Sequence, residues 1–234
     1  MSPLFYKPFI RFLGETGLLV EYGDAIAPEI NRKVRAMSIA LDQDPPRGIV
    51  EVIPTYRSLL ISYEPGVTTP QRLVDDLEAL EDRLGSIEIP DPALVEIPVC
   101  YGGELGPDLD FVCEHTGLSQ EEVIARHIRP SYQIYMIGFT PGFPFLGGMD
   151  ESLTTPRLPN PRTLVPAGSV GIANNQTGMY SIGSPGGWRL IGRTPFTLFD
   201  HKREEPFLYR AGDLIKFKPI FLAEYQAMSA AGGR

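Results

Sequence analysis

The stretch from Gly138 to Pro195 constrains this chain more than any other part: its 58 residues include 11 Gly and 8 Pro but only six charged residues. A disordered linker of that Gly and Pro content is rich in Ser, Glu and Lys, whereas few charges and several aromatics point to a folded core. Gly supplies backbone angles that other residues avoid and lets backbone approach closely, while Pro fixes turns and ends strands. The stretch therefore reads as short strands joined by tight turns. If it lines a concave surface, the polar groups to watch are Arg157, Asn160, Arg162, Ser169, Asn174, Asn175, Gln176, Thr177, Tyr180, Ser184, Arg193 and Thr194.

With 234 residues and 43% hydrophobic content, the chain has room for two modest domains or one large one with real cores. The formal net charge of −8 is uneven: residues 1–96 hold 9 Lys+Arg against 16 Asp+Glu, leaving 12 against 13 for the rest. Phosphate backbones are bound by clustered basic charge, so a nucleic-acid partner is not expected. Cys100 and Cys113 fit no CxxC or metal-ligand spacing and read as ordinary buried thiols. The N-terminus lacks a basic flank followed by an apolar core, and no apolar run is long enough for a membrane span. A soluble, cytoplasmic protein is the expectation.

Periodicity divides the first ninety residues. Two short extended pieces, Phe9 to Leu13 and Gly17 to Tyr22, precede a run with Ile30, Val34, Met37 and Leu41 at helical spacing behind Pro28. Two strand-like runs, Gly48 to Pro54 and Arg57 to Tyr63, precede Thr69-Pro70, a cap and first position for a helix bearing Leu73, Leu77, Leu80 and Leu84. The order strand–helix–strand–strand–helix–strand is that of a ferredoxin-like α+β domain, expected over residues 1–91. Pro90-Asp91-Pro92 marks the boundary. Over residues 92–234 the sequence predicts a strand from Leu94 to Cys100, a helical insert capped by Ser119 with Glu122, and a strand over Tyr132–Phe139. Short strands then follow at Ser169–Ala173, Met179–Ile182, Trp188–Gly192, Phe196–Phe199 and Leu214–Phe217, with a helical tail from Phe221 to Met228. Such spacing indicates a β-sandwich or barrel.

Several chemistries are unsupported. There is no GxxxxGK[ST] phosphate loop, GxGxxG dinucleotide turn or GxSxG elbow, and His115, His127 and His201 form no metal-ligand cluster. No metal is expected in this chain. The candidates lie around the Gly-rich stretch. His127, on a helix before the turn into that stretch, can act as an acid or base, or can simply favour the negative end of its helix. Arg162 and Arg193 can clamp a carboxylate or hold loop carbonyls. Gln176, Thr177 and Tyr180 can read an amide or lactam, although the first two also suit a turn. Ser184, Gly186 and Gly187 can offer backbone N–H groups to an anion, or form a turn alone.

In combination these residues are more specific. GFTPGFPFLGG at Gly138–Gly148, TPR-x-x-x-PR at Thr155–Arg162, VPAGSVGIA-x-x-QTGMY at Val165–Tyr180 and SPGGWRLIGRTP at Ser184–Pro195 occur in order. With GLLVEYGD, INRKVRA, IVEVIPTYRSLLISY and IPVCYGGELGPDL upstream, the chain closely resembles the KipI/PxpB family, also called allophanate hydrolase subunit 1. It departs from that family locally: the family usually carries glycine or a small residue near Asn174 and proline where Ser181 stands. The resemblance implies a ferredoxin-like domain followed by a mostly-β cyclophilin-like barrel. It further implies a subunit of an ATP-dependent 5-oxoprolinase that opens the lactam of 5-oxo-L-proline to L-glutamate. Its partners would be a homologous second barrel subunit and a TIM-barrel-like subunit, with ATP handled at the level of the complex.

In that cleft His127 and Tyr180 are the catalytic candidates, and Arg162, Gln176, Thr177, Arg193, Ser184, Gly186 and Gly187 the substrate-binding ones. Another family role, inhibition of a histidine kinase, remains open. A carboxyltransferase-like component of urea or allophanate metabolism is also open, although Ala227-Met228-Ser229 lacks a biotinyl lysine.

Overall fold

In the computed structural model, which describes residues 3–233, the chain divides between Asp91 and Pro92. Pro90 and Pro92 cannot donate to a ladder at that point. The first unit comprises β1 (Leu4–Leu13), β2 (Gly17–Gly23), α1 (Pro28–Gln43), β3 (Ile49–Pro54), β4 (Ser58–Tyr63) and α2 (Pro70–Glu81). Its antiparallel sheet runs β1-β2-β4-β3. Alternate residues Leu18, Val20 and Tyr22 on β2 and Leu59, Ile61 and Tyr63 on β4 are buried against Ile30, Val34, Met37 and Leu41 of α1 and Leu73, Leu77 and Leu80 of α2. A period of two thus meets a period of 3.6 across one interface. The Thr69 hydroxyl accepts from the Arg72 N–H at 3.2 Å, capping α2.

The order expected for this unit is corrected at its ends. Strand–helix–strand–strand–helix holds from β2 to α2, but α2 is followed by a 3-10 turn at Leu84–Ser86 and by no further strand of the unit. The sheet edge beside β2 is taken by β1, which comes first in the chain. Gly85, Pro90 and Pro92 make the segment after α2 a poor strand, whereas Leu4–Leu13 pairs through much of its length.

The second unit holds β5 (Leu94–Tyr101), α3 (Leu109–Thr116), α4 (Gln120–Ile128), β6 (Tyr132–Ile137), β7 (Pro144–Gly147), β8 (Arg162–Val165), β9 (Ser169–Ala173) and β10 (Gln176–Met179). It continues through β11 (Ser184–Gly186), β12 (Arg189–Arg193), β13 (Leu214–Pro219) and α5 (Leu222–Ala230). Seven strands close a barrel in the order β10-β7-β6-β13-β5-β12-β9, while β11 and β8 form a separate ribbon. β13 and β5 run parallel; the other barrel pairs are antiparallel. Ile97, Val99, Ile134, Leu146, Val170, Ile172, Ile215 and Phe217 fill the core, joined by Leu109, Val112 and Val123 from α3 and α4. A second apolar layer of Phe143, Val165, Ala173, Tyr180, Trp188 and Leu190 links ribbon residues to the other face of the barrel strands.

Ser119 and Glu122 form the expected reciprocal cap of α4. Elsewhere the short strands shift. The strand expected at Met179–Ile182 is Gln176–Met179, and that expected at Trp188–Gly192 is Arg189–Arg193. Phe196–Phe199 forms no strand, only a bridge between Phe199 and Phe207. Three- and four-residue strands carry too little periodicity to fix their bounds. Asn174, near which the resembled family usually carries glycine or a small residue, adopts φ 53° in the hairpin between β9 and β10, a left-handed angle that Asn tolerates.

Gly106 shows how tightly the insert is held. Its N–H donates to the Gly102 carbonyl at 2.9 Å, and a Cβ at Gly106 would overlap the Ile191 carbonyl of β12. Gly106→Ala is therefore expected to destabilise the protein by about 2–4 kcal/mol. Gly103→Ala, left-handed but in open space, should cost only about 1 kcal/mol. Urea unfolding of both variants checks this; equal midpoints would show that the insert yields without cost.

Candidate functional site

The two ends of the barrel are built from different materials. At one end lie the starts of β6, β10 and β12, with α3 and α4 contributing to the adjoining core. At the other lie four connections: residues 138–143 after β6, 166–168 before β9, 180–183 after β10 and 194–213 after β12. The register requires this arrangement, since Met179 pairs with Val170 and Arg193 with Ser169, bringing the ends of β10 and β12 to the start of β9.

His127 belongs to the helical end and is fully buried. Its ring stacks on Phe217 with centroids 4.7 Å apart. Nδ1 lies 2.8 Å from the Tyr101 hydroxyl and Nε2 lies 2.8 Å from Thr177 Oγ1. Thr177 Oγ1 donates to the Gly171 carbonyl at 3.0 Å, so it accepts from Nε2–H, and Nδ1 accepts from Tyr101. Every group in this chain of hydrogen bonds is thus committed. Burial depresses the imidazole to about 3, and removal from water raises the Tyr101 phenol well above its ordinary value. The ring is neutral and sealed, an arrangement that suits a structural bond rather than proton exchange with a ligand. Thr177 is part of the same bond and is equally buried.

Arg162 and Tyr180 are occupied elsewhere. Arg162 donates to Asp108 Oδ1 at 2.9 Å and to the Trp188 carbonyl at 3.3 Å, while Asp108 Oδ2 accepts from the Leu190 N–H at 2.6 Å. This clamp joins β8, β12 and the insert. The Tyr180 ring meets Phe143 and Trp188 edge-on at 5.3 and 6.5 Å, and burial raises its phenol. Gly186 is paired with Arg162 in the ribbon, and a Cβ there would collide with the Tyr180 hydroxyl. The Gly187 carbonyl accepts from the Leu158 N–H at 2.7 Å. The Ser184–Gly187 segment is therefore ribbon and packing rather than an open anion loop. Gln176 starts β10, at the opposite end of that strand from Tyr180.

Arg193 and Ser184 differ from the rest. Arg193, the last residue of β12, is partly buried; its Nε is buried without a partner, and its guanidinium forms no ion pair among the described residues. Ser184 Oγ is likewise buried and unpartnered. Two hydroxyls missed as site residues share this property, Ser169 Oγ and Thr140 Oγ1. A buried hydroxyl without a partner costs about 1–3 kcal/mol, and such groups are few in native proteins. Thr140 follows Phe139, a non-glycine residue at φ 63° whose ring is two-thirds exposed (66%). Strain of that kind concentrates at functional positions. Ser169 stands among the polar residues of the Gly-rich stretch; Thr140 gives no signal beyond its Gly- and Pro-rich setting.

These turns are tied to one another. The Gly168 N–H donates to the Tyr180 carbonyl at 2.7 Å, the Tyr180 N–H to Ser169 at 2.8 Å and the Thr194 N–H to Gly168 at 2.9 Å. Ser181 Oγ donates to the Pro141 carbonyl at 2.5 Å, adding the turn that carries Thr140. Hydrogen bonds thus tie together the turns that carry or adjoin Thr140, Ser169 and Arg193. Among the described residues there is no cluster able to hold a metal ion, and no helix is long and apolar enough to cross a membrane.

Residues 8–209 match the family described as the carboxyltransferase domain, subdomain C and D. The chain is 44% identical over 229 residues to a 5-oxoprolinase subunit of Bacillus subtilis (strain 168), covering 93% of this chain and 95% of that one. It is 39% identical over 207 residues to the 5-oxoprolinase subunit of the same name in Escherichia coli O157:H7, covering 88% and 94%. A crystal structure of TTHA0988 superposes with a TM-score of 0.77 at 41% identity, covering 87% of this chain and 39% of that one.

The buried neutral imidazole has a solution consequence. Because the folded value of about 3 lies below the unfolded one near 6.5, the unfolded chain binds the extra proton between them. Stability is then lost as pH falls below about 6.5, at up to about 1.4 kcal/mol per pH unit from this group. Unfolding free energies from pH 7.5 to 5 should fall more steeply for the wild type than for His127→Gln. Equal slopes would mean that His127 is not held neutral.

Proposed function

The chain belongs to the carboxyltransferase-domain family of subdomains C and D, and from that membership we propose that it is the corresponding subunit of a cytoplasmic, ATP-dependent 5-oxoprolinase. The observation that carries this reading is the 44% identity to a 5-oxoprolinase subunit along nearly the whole of both chains. In this reading the assembled enzyme opens 5-oxo-L-proline to L-glutamate. This chain acts beside a homologous barrel subunit and a TIM-barrel-like subunit. We read its barrel as cyclophilin-like, and its first unit as a ferredoxin-like sheet whose outer edge is supplied by β1.

The chemistry asks for such a division of labour. A lactam is a resonance-stabilised amide: phosphoryl transfer from ATP to its oxygen, with loss of ADP, activates the carbon for addition of water. The ring C–N bond then breaks to free the amine and leave an acyl phosphate, and a second water releases phosphate, with donors holding the charge that develops. This chain has no phosphate loop for ATP, and its buried histidine, His127, is sealed between Tyr101 and Thr177. Its contribution is to bind and orient substrate at the turn end, with His127 and Tyr180 maintaining the barrel and its ribbon. Arg193 and Ser184 are the binding candidates in that role, and Arg162 holds the frame through Asp108.

The test is ATP-dependent release of glutamate from 5-oxo-L-proline, comparing this chain alone with the chain co-purified with its partners. Glutamate is expected only from the assembled sample. A verified complex of folded subunits that releases none would refute the assignment.

A further inference from the structure

Arg193 sits where three strands meet. Its partners across β12 are Cys100 on β5 and Ser169 on β9, and residues directly opposite in a sheet share a face. Val170 and Ile172 point into the barrel core, so Ser169 lies on the opposite face with Ala173 of the second apolar layer, and the register shift between Leu190 and Gly192 sets Arg193 opposite Ser169 on that face. The Arg193 side chain leans over the turn before β9, its Cγ 3.4 Å from where a Cβ on Gly168 would stand.

Two polar side-chain atoms on this face lack a partner. Arg193 Nε and Ser169 Oγ are buried and unpartnered, and Ser169 is fully inaccessible. A guanidinium only donates, and a serine hydroxyl can donate as well as accept. A ligand that completes such a set must offer acceptors and negative charge. A planar carboxylate does both, and it matches the fork of an arginine.

We propose that Arg193 and Ser169 form the seat for the carboxylate of the lactam substrate at the turn end of the barrel. The assignment rests on the 5-oxoprolinase reading for the identity of the ligand. It places the ring of 5-oxo-L-proline outward from Arg193, away from the sealed His127.

The experiment is calorimetric titration of the assembled complex with 5-oxo-L-proline, with 2-pyrrolidinone, which lacks the carboxylate, and with inorganic phosphate. The wild type should bind 5-oxo-L-proline at least about tenfold more tightly than 2-pyrrolidinone, as a charge-assisted pair requires. Arg193→Gln should lose that preference, Arg193→Lys should keep part of it, and Ser169→Ala should weaken it; circular dichroism checks that each is folded. A folded Arg193→Gln complex that keeps the full preference overturns the proposal. Phosphate displacing 5-oxo-L-proline in an Arg193-dependent manner overturns its carboxylate selectivity. Glutamate release by Arg193→Gln with unchanged KM sinks the site and leaves the 5-oxoprolinase reading standing. Arg193-dependent binding of 5-oxo-L-proline without any turnover supports the site and sinks that reading.

Discussion

Closure of the barrel through β12 is the constraint on which the rest of the second unit depends. This strand alone joins β5 to β9, through Gly192 and Arg193 on one side and Arg189 to Arg193 on the other. The seam demands close approach: a Cβ at Gly192 would stand 2.8 Å from the Cys100 carbonyl and 2.8 Å from Val99 Cγ1. Gly106 is pressed against the Ile191 carbonyl for the same reason. A side chain at either position would push β12 outward and open the sheet. The residue immediately after Gly192 is Arg193, so the seam that closes the barrel also fixes its arginine between Cys100 and Ser169.

The barrel ends divide the polar work. At the helical end, Tyr101, His127, Thr177 and the Gly171 carbonyl form a saturated line of hydrogen bonds inside an apolar core. Burial keeps that imidazole neutral and unavailable. At the turn end, backbone hydrogen bonds hold the loops together, while the side chains of Ser169, Thr140 and Arg193 are left with capacity to spare. Saturation stabilises a fold; unsatisfied capacity on a rigid frame is what a binding site requires. The same contrast separates the two candidate arginines, one neutralised by Asp108 and the other unpaired.

Local relations are legible in this sequence, and long-range ones are not. The buried faces of α1 and α2, the Thr69 cap and the Ser119–Glu122 box depend on residues within a turn or two of each other and stand where periodicity puts them, except that α2 ends at Glu81 and Leu84 is buried from the 3-10 turn beyond it. The Gly- and Pro-rich stretch announces turns and short strands, but not their bounds, because strands of three or four residues hold barely one period. Arg162 and Arg193 look alike in sequence because Asp108, which distinguishes them, lies 54 positions from Arg162. His127 looks available because Tyr101 and Thr177, which seal it, are 26 and 50 positions away. The edge of the first sheet escapes the pattern because an edge can be filled from either end of a chain, a choice settled by pairing rather than by periodicity.

The most direct test is a structure of the assembled complex with 5-oxo-L-proline bound. The ligand is expected at the turn end, with its carboxylate oxygens within about 3 Å of the Arg193 guanidinium and the Ser169 hydroxyl. A ligand seated beside His127 at the helical end, or one that leaves Arg193 untouched, would contradict it.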